Sequence, residues 1–445
     1  MVRLARDVDG RADGRSPART RHRAGRSGRS SRSSRSSRLS HISIVRFMQA
    51  DIVIVGAGPV GLCLARSLSG VGLKIVIVEQ QCLADISEPQ FDGREIALTQ
   101  KSVRAMCRFG LWDLIDPHAR APLRSARVFN GSSTGALEIG HDLSGHAELG
   151  WLVSNHLIRK AAYEALQQST AEHGDVTLLA AQKVSAVKAD DVLASVTLES
   201  GETLSAKLIV AADSRFSSTR KMMGIAANLH DFGKAMLVCR MTHEVPHEHA
   251  AWEWFGYGQT LALLPMNAER STNAHQSSVV LTLPVGQVNE IAALAPDAFA
   301  RHIEDRFMHR LGAMKLASTR HVYPLVAVYP ERFVGKRFAA VGDAAVGMHP
   351  VTAHGFNFGL LGVETLGNRI IDAHKNGFDI AAPSVLQRYE TQHRRATKPL
   401  YLATRFITDI YTNNTVPAKL ARDFMLRAAS KLMPFRKAIA ASLTG

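Results

Sequence analysis

Two glycine-rich stretches hold the residues best suited to chemistry. The later one is residues 342–360, GDAAVGMHPVTAHGFNFGL. An apolar run, Phe338 to Val341, follows basic Lys336 and Arg337 and predicts a short buried strand ending in a tight turn at Gly342. Asp343 then stands at the strand's carboxyl end, where a carboxylate can accept hydrogen bonds from sugar-like hydroxyls. His349 and Pro350 fix a bend. Gly355, Asn357 and Gly359 keep the next backbone bare, so a planar ligand can approach N–H groups at a helix start. The earlier stretch is residues 51–79. Ile52 to Val55 predict a buried strand, Gly56, Gly58 and Gly61 spell G-x-G-x-x-G, and Leu62 to Leu68 continue as a helix. Lys74 to Val78 predict a second strand ending at Glu79, 23 residues after the first glycine. Inside such a βαβ unit the first glycine makes the turn, the second admits a pyrophosphate and the third lets helix pack on strand. The acid accepts from ribose hydroxyls. The bland alternative is a βαβ unit that holds no nucleotide.

These motifs need elements to hold them. Residues 80–93 read as loop, and Arg94 opens a helical stretch over Ser102 to Ile115. Residues 124–150 read as a sheet excursion, and Ser154 as the N-cap of a helix running to about Gln168. Four strands follow within 176–211, the last ending near Asp213. Residues 235–330 carry β-like runs (AMLVCRM, WEWFGYG, TLALLPM, SSVVLTL) and a helix from Pro296 to Leu311. They predict an antiparallel sheet with a covering helix, with Trp252, Trp254 and Phe255 either lining a cavity or serving as core. His243, His247 and His249 form H-x3-H-x-H without a matching acid or cysteine set, so no metal site is expected. Helices are expected over Ser384 to Ile410 and 416–442. The second sets Lys419, Arg422, Arg427, Lys431, Arg436 and Lys437 against an apolar face that packs on the protein or lies on an anionic membrane.

Composition narrows the class. At 445 residues two joined domains are the default, and 46% apolar content is ample for their cores. No apolar run reaches the roughly 18 residues that a membrane span needs. The four cysteines are scattered, which fits a reducing compartment and buried packing roles. Of the net charge of +15, residues 1–47 supply +10 through 13 Arg against 3 Asp. That Arg/Ser-rich tail cannot bury a core and is expected to be disordered. Three readings compete for it: a start-site artefact with translation from Met48, a mitochondrial transit peptide, or an anion-binding arm. The artefact is favoured, because no regular apolar face runs through the tail.

Together the motifs resemble the class A flavin-dependent aromatic hydroxylases, most closely the ubiquinone-biosynthesis hydroxylases, over residues 50 to about 440. The fingerprint, GREIALTQKSVRAMCRFGLWDLI from Gly93, AADSRFSSTR at 211–220, and the stretch at 342–360 carry the resemblance. VGMHPVTAHGFNFGL looks most like the demethoxyubiquinone hydroxylase branch of some proteobacteria. Ala211 and Ser214 stand where the family usually has glycines.

The resemblance implies an α/β fold: a Rossmann-like, glutathione-reductase-type FAD-binding domain (48–123, 151–234, 331–383) interleaved with an antiparallel-sheet substrate domain (124–150, 235–330), then C-terminal helices (384–445). It implies bound FAD, NAD(P)H as electron donor, and O2 carried as a C4a-hydroperoxide to a polyprenylated quinol. Arg94 and Asn155 would approach FAD, Asp213 would contact FAD and the passing nicotinamide nucleotide, and Gly355, Phe356 and Asn357 would face the flavin pyrimidine edge. His349 and Pro350 would sit at the ring face. His354, where relatives carry Gln, is either a polar group touching substrate or flavin, or a satisfied loop histidine. The implied location is the cytoplasm at the periphery of the inner membrane; a real transit peptide would place the protein in the mitochondrial matrix. Hydroxylation of a small soluble phenol, an FAD oxidoreductase without oxygen insertion, and a non-catalytic FAD scaffold stay open. A flavin halogenase is disfavoured, because W-x-W-x-I-P is absent.

Overall fold

The computed structural model describes residues 47–131, 136–143, 145–256, 259–348 and 354–412. The 1–47 tail, apart from the backbone of Phe47, and the 416–442 helix lie outside these residues, as do His349 and Pro350.

The chain opens with β1 (Phe47–Val55), α1 (Pro59–Leu68) and β2 (Ile75–Val78). All four residues of β2 are buried, the pattern of a parallel strand covered on both faces. Next come α2 (Leu83–Ser87), β3 (Glu95–Thr99), α3 (Gln100–Arg108), β4 (Ala121–Leu123), β5 (Ser125–Asn130), β6 (Leu137–Gly140), β7 (Gly150–Ser154) and α4 (Asn155–His173). The chain then returns through β8 (Val176–Leu179), β9 (Val184–Ala189), β10 (Ala194–Leu198), β11 (Thr203–Ala211) and α5 (Ser218–Met222). β12 (Ala227–His243), β13 (Ala250–Gly256), β14 (Gln259–Pro265) and β15 (His275–Pro284) follow, with α6 (Val285–Ala292) and α7 (Pro296–Arg306). β16 (Met314–Leu316), β17 (His321–Pro330), β18 (Val334–Gly335) and β19 (Phe338–Ala340) lead to α8 (Gly355–Lys375) and α9 (Pro383–Thr412).

Among the described residues three sheets result. The first contains the parallel series β19-β11-β1-β2-β8. Its carboxyl ends carry Gly56, Glu79, Ala212 and Gly342. The second runs β16-β12-β15-β14-β13-β5-β6, with β17 alongside β12. One face of it buries Leu237, Trp252, Trp254, Leu263, Val279 and Leu281 against Val288, Phe299, Ile303 and Phe307 of α6, α7 and the turn beyond. Each such side chain contributes about 1.5–3 kcal/mol. The third sheet, β3-β7-β4, is small and antiparallel.

The structure corrects several expectations. Residues 80–93 contain α2, and Arg94 precedes strand β3 rather than opening a helix. Glu95–Thr99 is too short for its alternation to outweigh the strong helical pattern after it. α7 stops at Arg306, because Met308 and His309 adopt positive φ. Cys63 and Cys239 are buried, with burial pushing both thiols up to about 12, but Cys82 and Cys107 are exposed. No helix of the described residues is long and apolar enough to cross a membrane.

Candidate active site

Val60 brings the two glycine-rich stretches together. It sits in the first turn of α1 and packs into the spaces left by Gly342 and Gly359. A Cβ on Gly342 would lie 3.1 Å from Val60, and one on Gly359 would lie 2.6 Å away. Gly342 also takes a φ of +61°, open to glycine at little strain. On the other side of α1, Gly56 has φ +111° and leaves no room for a Cβ, which would stand 2.5 Å from the Ala212 carbonyl oxygen. The starts of α1 and α8 therefore converge beside the carboxyl ends of β1, β11 and β19.

Among the described residues, neither helix start is closed by a capping side chain. α1 begins after Gly58 with no side-chain cap, and nothing lies within 4 Å of where a Gly58 Cβ would stand. α8 begins after His354, also without a side-chain cap. First-turn N–H groups lack intrahelical partners, so two uncapped starts facing one cleft suit a pyrophosphate and the electron-rich edge of a flavin. The described residues thus fit FAD.

Glu79, at the end of β2, accepts from the Ala57 N–H at 2.7 Å and the Gln81 N–H at 2.8 Å. It braces the fingerprint turn and keeps lone pairs for ribose. Asp343 lies beside the start of α8, its Oδ1 4.0 Å from where a Gly355 Cβ would be. Its Oδ2 accepts from Arg215 Nη2 at 3.1 Å. Asn357 ties α8 to β3: its Oδ1 accepts from Thr99 N–H at 3.1 Å and its Nδ2 donates to the Ala97 carbonyl at 2.8 Å. Phe356 packs on the core cluster of the first sheet, and His354 is buried with its ring tilted against Phe358.

Arg94, Asn155 and Asp92 form a second group. Arg94 directs Nε and Nη2 to Asp92 Oδ2, and Asn155 Nδ2 donates to the same oxygen at 2.7 Å. Burial pushes the Asp92 carboxyl up, but Arg94 and Asn155 more than offset it and hold it below the usual range. The paired donors expected for phosphate are thus given to Asp92, and the guanidinium lies over the Tyr323 ring at 5.3 Å. Asp92 was legible only as an acid two residues before that arginine.

Asp213 follows the Ala212 carbonyl against the fingerprint turn, its backbone nitrogen 3.1 Å from where a Gly56 Cβ would stand. It accepts from Ser217, from the Thr219 N–H at 3.0 Å and from Thr219 Oγ1 at 2.8 Å, so it organises the start of α5. Ser214, where the family carries glycine, adopts φ +83° and keeps the tight turn at a cost in strain. Ser154 precedes α4 but does not cap it; its Oγ donates to Glu95 Oε2 at 2.8 Å, beside the Arg240–Glu95 pair.

The aromatic run divides between the two roles open to it. Trp252 meets Phe307 edge-on at 6.3 Å inside the core under α7, and Trp254, stacked on Phe129 at 4.9 Å, also lines a pocket with Gly131, Gly256, Gln259, His302 and Arg306. The histidines do converge, with centroids 5.7 Å apart for His243–His247 and for His247–His249. The ring nitrogens of His243 and His247 face protein partners. His243 pairs with the Val245 carbonyl and Ser277 Oγ, and His247 with the Met266 carbonyl and the His249 N–H. Burial lowers His243 to about 4, so it is neutral.

The profile of the FAD binding domain family, FAD_binding_3, matches residues 49–401. The ubiquinone hydroxylase UbiM of Neisseria meningitidis is 43% identical over 402 residues, covering 89% of this chain and 85% of that protein. The ubiquinone hydroxylase UbiL of Rhodospirillum rubrum is 32% identical, covering 87% and 88%. Among solved structures, p-nitrophenol 4-monooxygenase PnpA of Pseudomonas putida superposes with a TM-score of 0.70 at 20% identity, covering 90% of this chain and 99% of that one, a likeness of fold. With two uncapped helix starts joined through Val60 and a family match over most of its length, the chain belongs to the FAD-binding class A flavin hydroxylases and is an FAD-dependent monooxygenase.

Proposed function

We propose that the protein hydroxylates the aromatic ring of a polyprenylated quinol intermediate of ubiquinone biosynthesis, demethoxyubiquinol, with NAD(P)H as electron donor and O2 as oxygen source. The observation that carries this reading is the 43% identity to a ubiquinone hydroxylase, which spans the cofactor cradle and the second sheet alike. Residues 48–123, 151–234 and 331–383 form the cofactor half; 124–150 and 235–330 form the substrate half.

Bound FAD supplies activated oxygen for insertion into an electron-rich ring. The chain's residues bind, orient and exclude water. The N–H groups after Gly58 hold the pyrophosphate, Glu79 the ribose and Asp343 the ribityl hydroxyls. N–H groups at Gly355, Phe356 and Asn357 stabilise charge at the pyrimidine edge. Asp92 orients Arg94 and Asn155 toward the same cofactor. His349, Pro350 and His354 bound the ring face, with His354 as the polar group nearest the reaction. The substrate's tail lies in the membrane, and Leu402 and Phe406 on α9, 51% and 58% exposed, give an apolar contact with that surface.

The test is complementation. The chain, expressed from Met48, goes into bacteria lacking each ubiquinone ring hydroxylase in turn, and quinones are identified by mass spectrometry. Rescue of the strain that accumulates demethoxyubiquinol is expected. Rescue of a different strain reassigns the ring position. Soluble, yellow protein with no rescue anywhere rejects the quinol and turns the search to soluble phenols.

A further inference from the structure

The two faces of the second sheet differ. One is the core under α6 and α7. The other looks toward β3, β4 and β7: Arg240 of β12 bonds Glu95 of β3, and the Tyr323 hydroxyl donates to the Asp92 carbonyl at 2.7 Å. Ala251 of β13 packs there with Leu123 and Leu149. Side chains alternate along a strand, so Ala251, Glu253 and Phe255 share this inner face while Trp252 and Trp254 point away. Register places Glu253 between Val128 of β5 and Ala262 of β14, with Val280 of β15 one strand further. Val128, Val280 and Met236 are only half-buried, so the inner face fronts an open space. Thr260 and Thr282 complete an apolar wall with a few hydroxyls.

Glu253 is the anomaly in that wall. It makes no hydrogen bond or ion pair among the described residues, and only burial acts on its carboxyl. Glu253 is itself half-buried, so its unpartnered carboxyl borders the open space, where a ligand group can bond it. Resting on the quinol reading, we propose that Glu253 is the polar anchor for the substrate ring: its carboxyl exchanges hydrogen bonds with a ring hydroxyl and so fixes which ring carbon faces the flavin.

The chemistry suits the role. Burial pushes the Glu253 carboxyl up to about 8, so at neutral pH it carries its proton. Its O–H donates and its carbonyl oxygen accepts, and a phenolic hydroxyl offers the complementary acceptor and donor. An aromatic ring with an alkyl tail meets Val128, Ala262, Val280 and Met236 on either side of that one polar contact. This is the pattern of a site in which few polar groups set orientation within an apolar surface.

The test uses the FAD-loaded full chain, a methoxy-substituted hydroquinone with a short alkyl tail, and the dimethyl ether of that hydroquinone. Dissociation constants are read from flavin fluorescence, and regiochemistry and product per NAD(P)H consumed from the reaction mixture. Glu253→Leu should weaken hydroquinone binding about tenfold, the expected consequence of a lost bond to a buried hydroxyl. It should weaken the ether, which can accept but not donate, by clearly less, and lower the product yield. Glu253→Gln, which also donates and accepts, should stay within about threefold of the parent. Glu253→Ala serves if the leucine variant fails to fold. Equal weakening for the ether would make the loss one of packing and overturn the anchor. So would unchanged hydroquinone binding in the leucine or alanine variant, or a glutamine variant as impaired as leucine. A parent protein that binds no hydroquinone overturns the quinol reading and this assignment with it.

Discussion

Gly359→Ala isolates the contact that joins the two glycine-rich stretches. Gly359 lies inside α8, where alanine is favoured over glycine by about 1 kcal/mol. The added Cβ would stand 2.6 Å from Val60 Cγ2, roughly 1 Å inside an ordinary carbon–carbon contact. Overpacking of this kind costs about 1–3 kcal/mol, so the variant should be destabilised by between zero and about 2 kcal/mol. The larger effect is geometric, because α8 must move away from α1 and the two sets of N–H groups no longer face one ligand. FAD retention through dialysis should fall more than the urea midpoint does. Val60→Ala alone should cost about 1 kcal/mol, since Val60 is only partly buried. In the double variant the new methyl occupies the vacated space, giving a favourable coupling of about 1–3 kcal/mol and restored FAD retention. Strict additivity of the two changes, in stability and in FAD retention, would refute the Val60 lock.

Two further outcomes are expected. Arg240→Met leaves the Glu95 side chain, 2% exposed, without its cation, and should cost about 3–5 kcal/mol in urea unfolding at neutral pH. Burial already raises the Glu95 carboxyl, with Arg240 pulling it back. The deficit should therefore shrink as pH falls toward the ordinary glutamate value of 4.5; a pH-independent deficit would contradict this. Glu253→Gln should flatten the pH dependence of stability. With a folded value of about 8 against 4.5, the folded chain keeps a proton between those values that the unfolded chain releases. The parent should therefore lose up to about 1.4 kcal/mol per pH unit across that window relative to the glutamine variant. Its cross-strand neighbours Val128 and Ala262 are apolar, the inner-face neighbours on its own strand, Ala251 and Phe255, are uncharged, and the Arg240–Glu95 pair stands three strands away. Parallel pH curves for parent and variant would reject the shift.

The cofactor half was legible because its signals are local: a βαβ unit, three glycines and an acid at fixed offsets. The β-runs of 235–330 were equally plain from alternation. What the sequence hid is mostly contact across long separations. Val60 reads as one more apolar residue of α1 until Gly342 and Gly359 close on it. Asp92 looks like loop polarity until Arg94 and Asn155 both turn to it. Glu253 sits between two tryptophans that alternation assigns to the opposite face, and no local pattern marks it out. Arg94 was misassigned because five residues of strand carry less pattern than the helix after them.

β12 and β17 are hydrogen-bonded to each other from Ala227↔Pro330 to Val238↔His321, one long antiparallel pair that carries the chain into the second sheet and back. The register of this pair breaks at one place, between Asp231 and Ala235, where Gly233 takes φ +63°. Mechanically this is a girder with one notch, not a pair of tethers. A cross-link between the two strands across that notch is expected to slow loading of a bulky substrate and to leave a small one unaffected; unchanged loading rates for both would assign the notch no mechanical role.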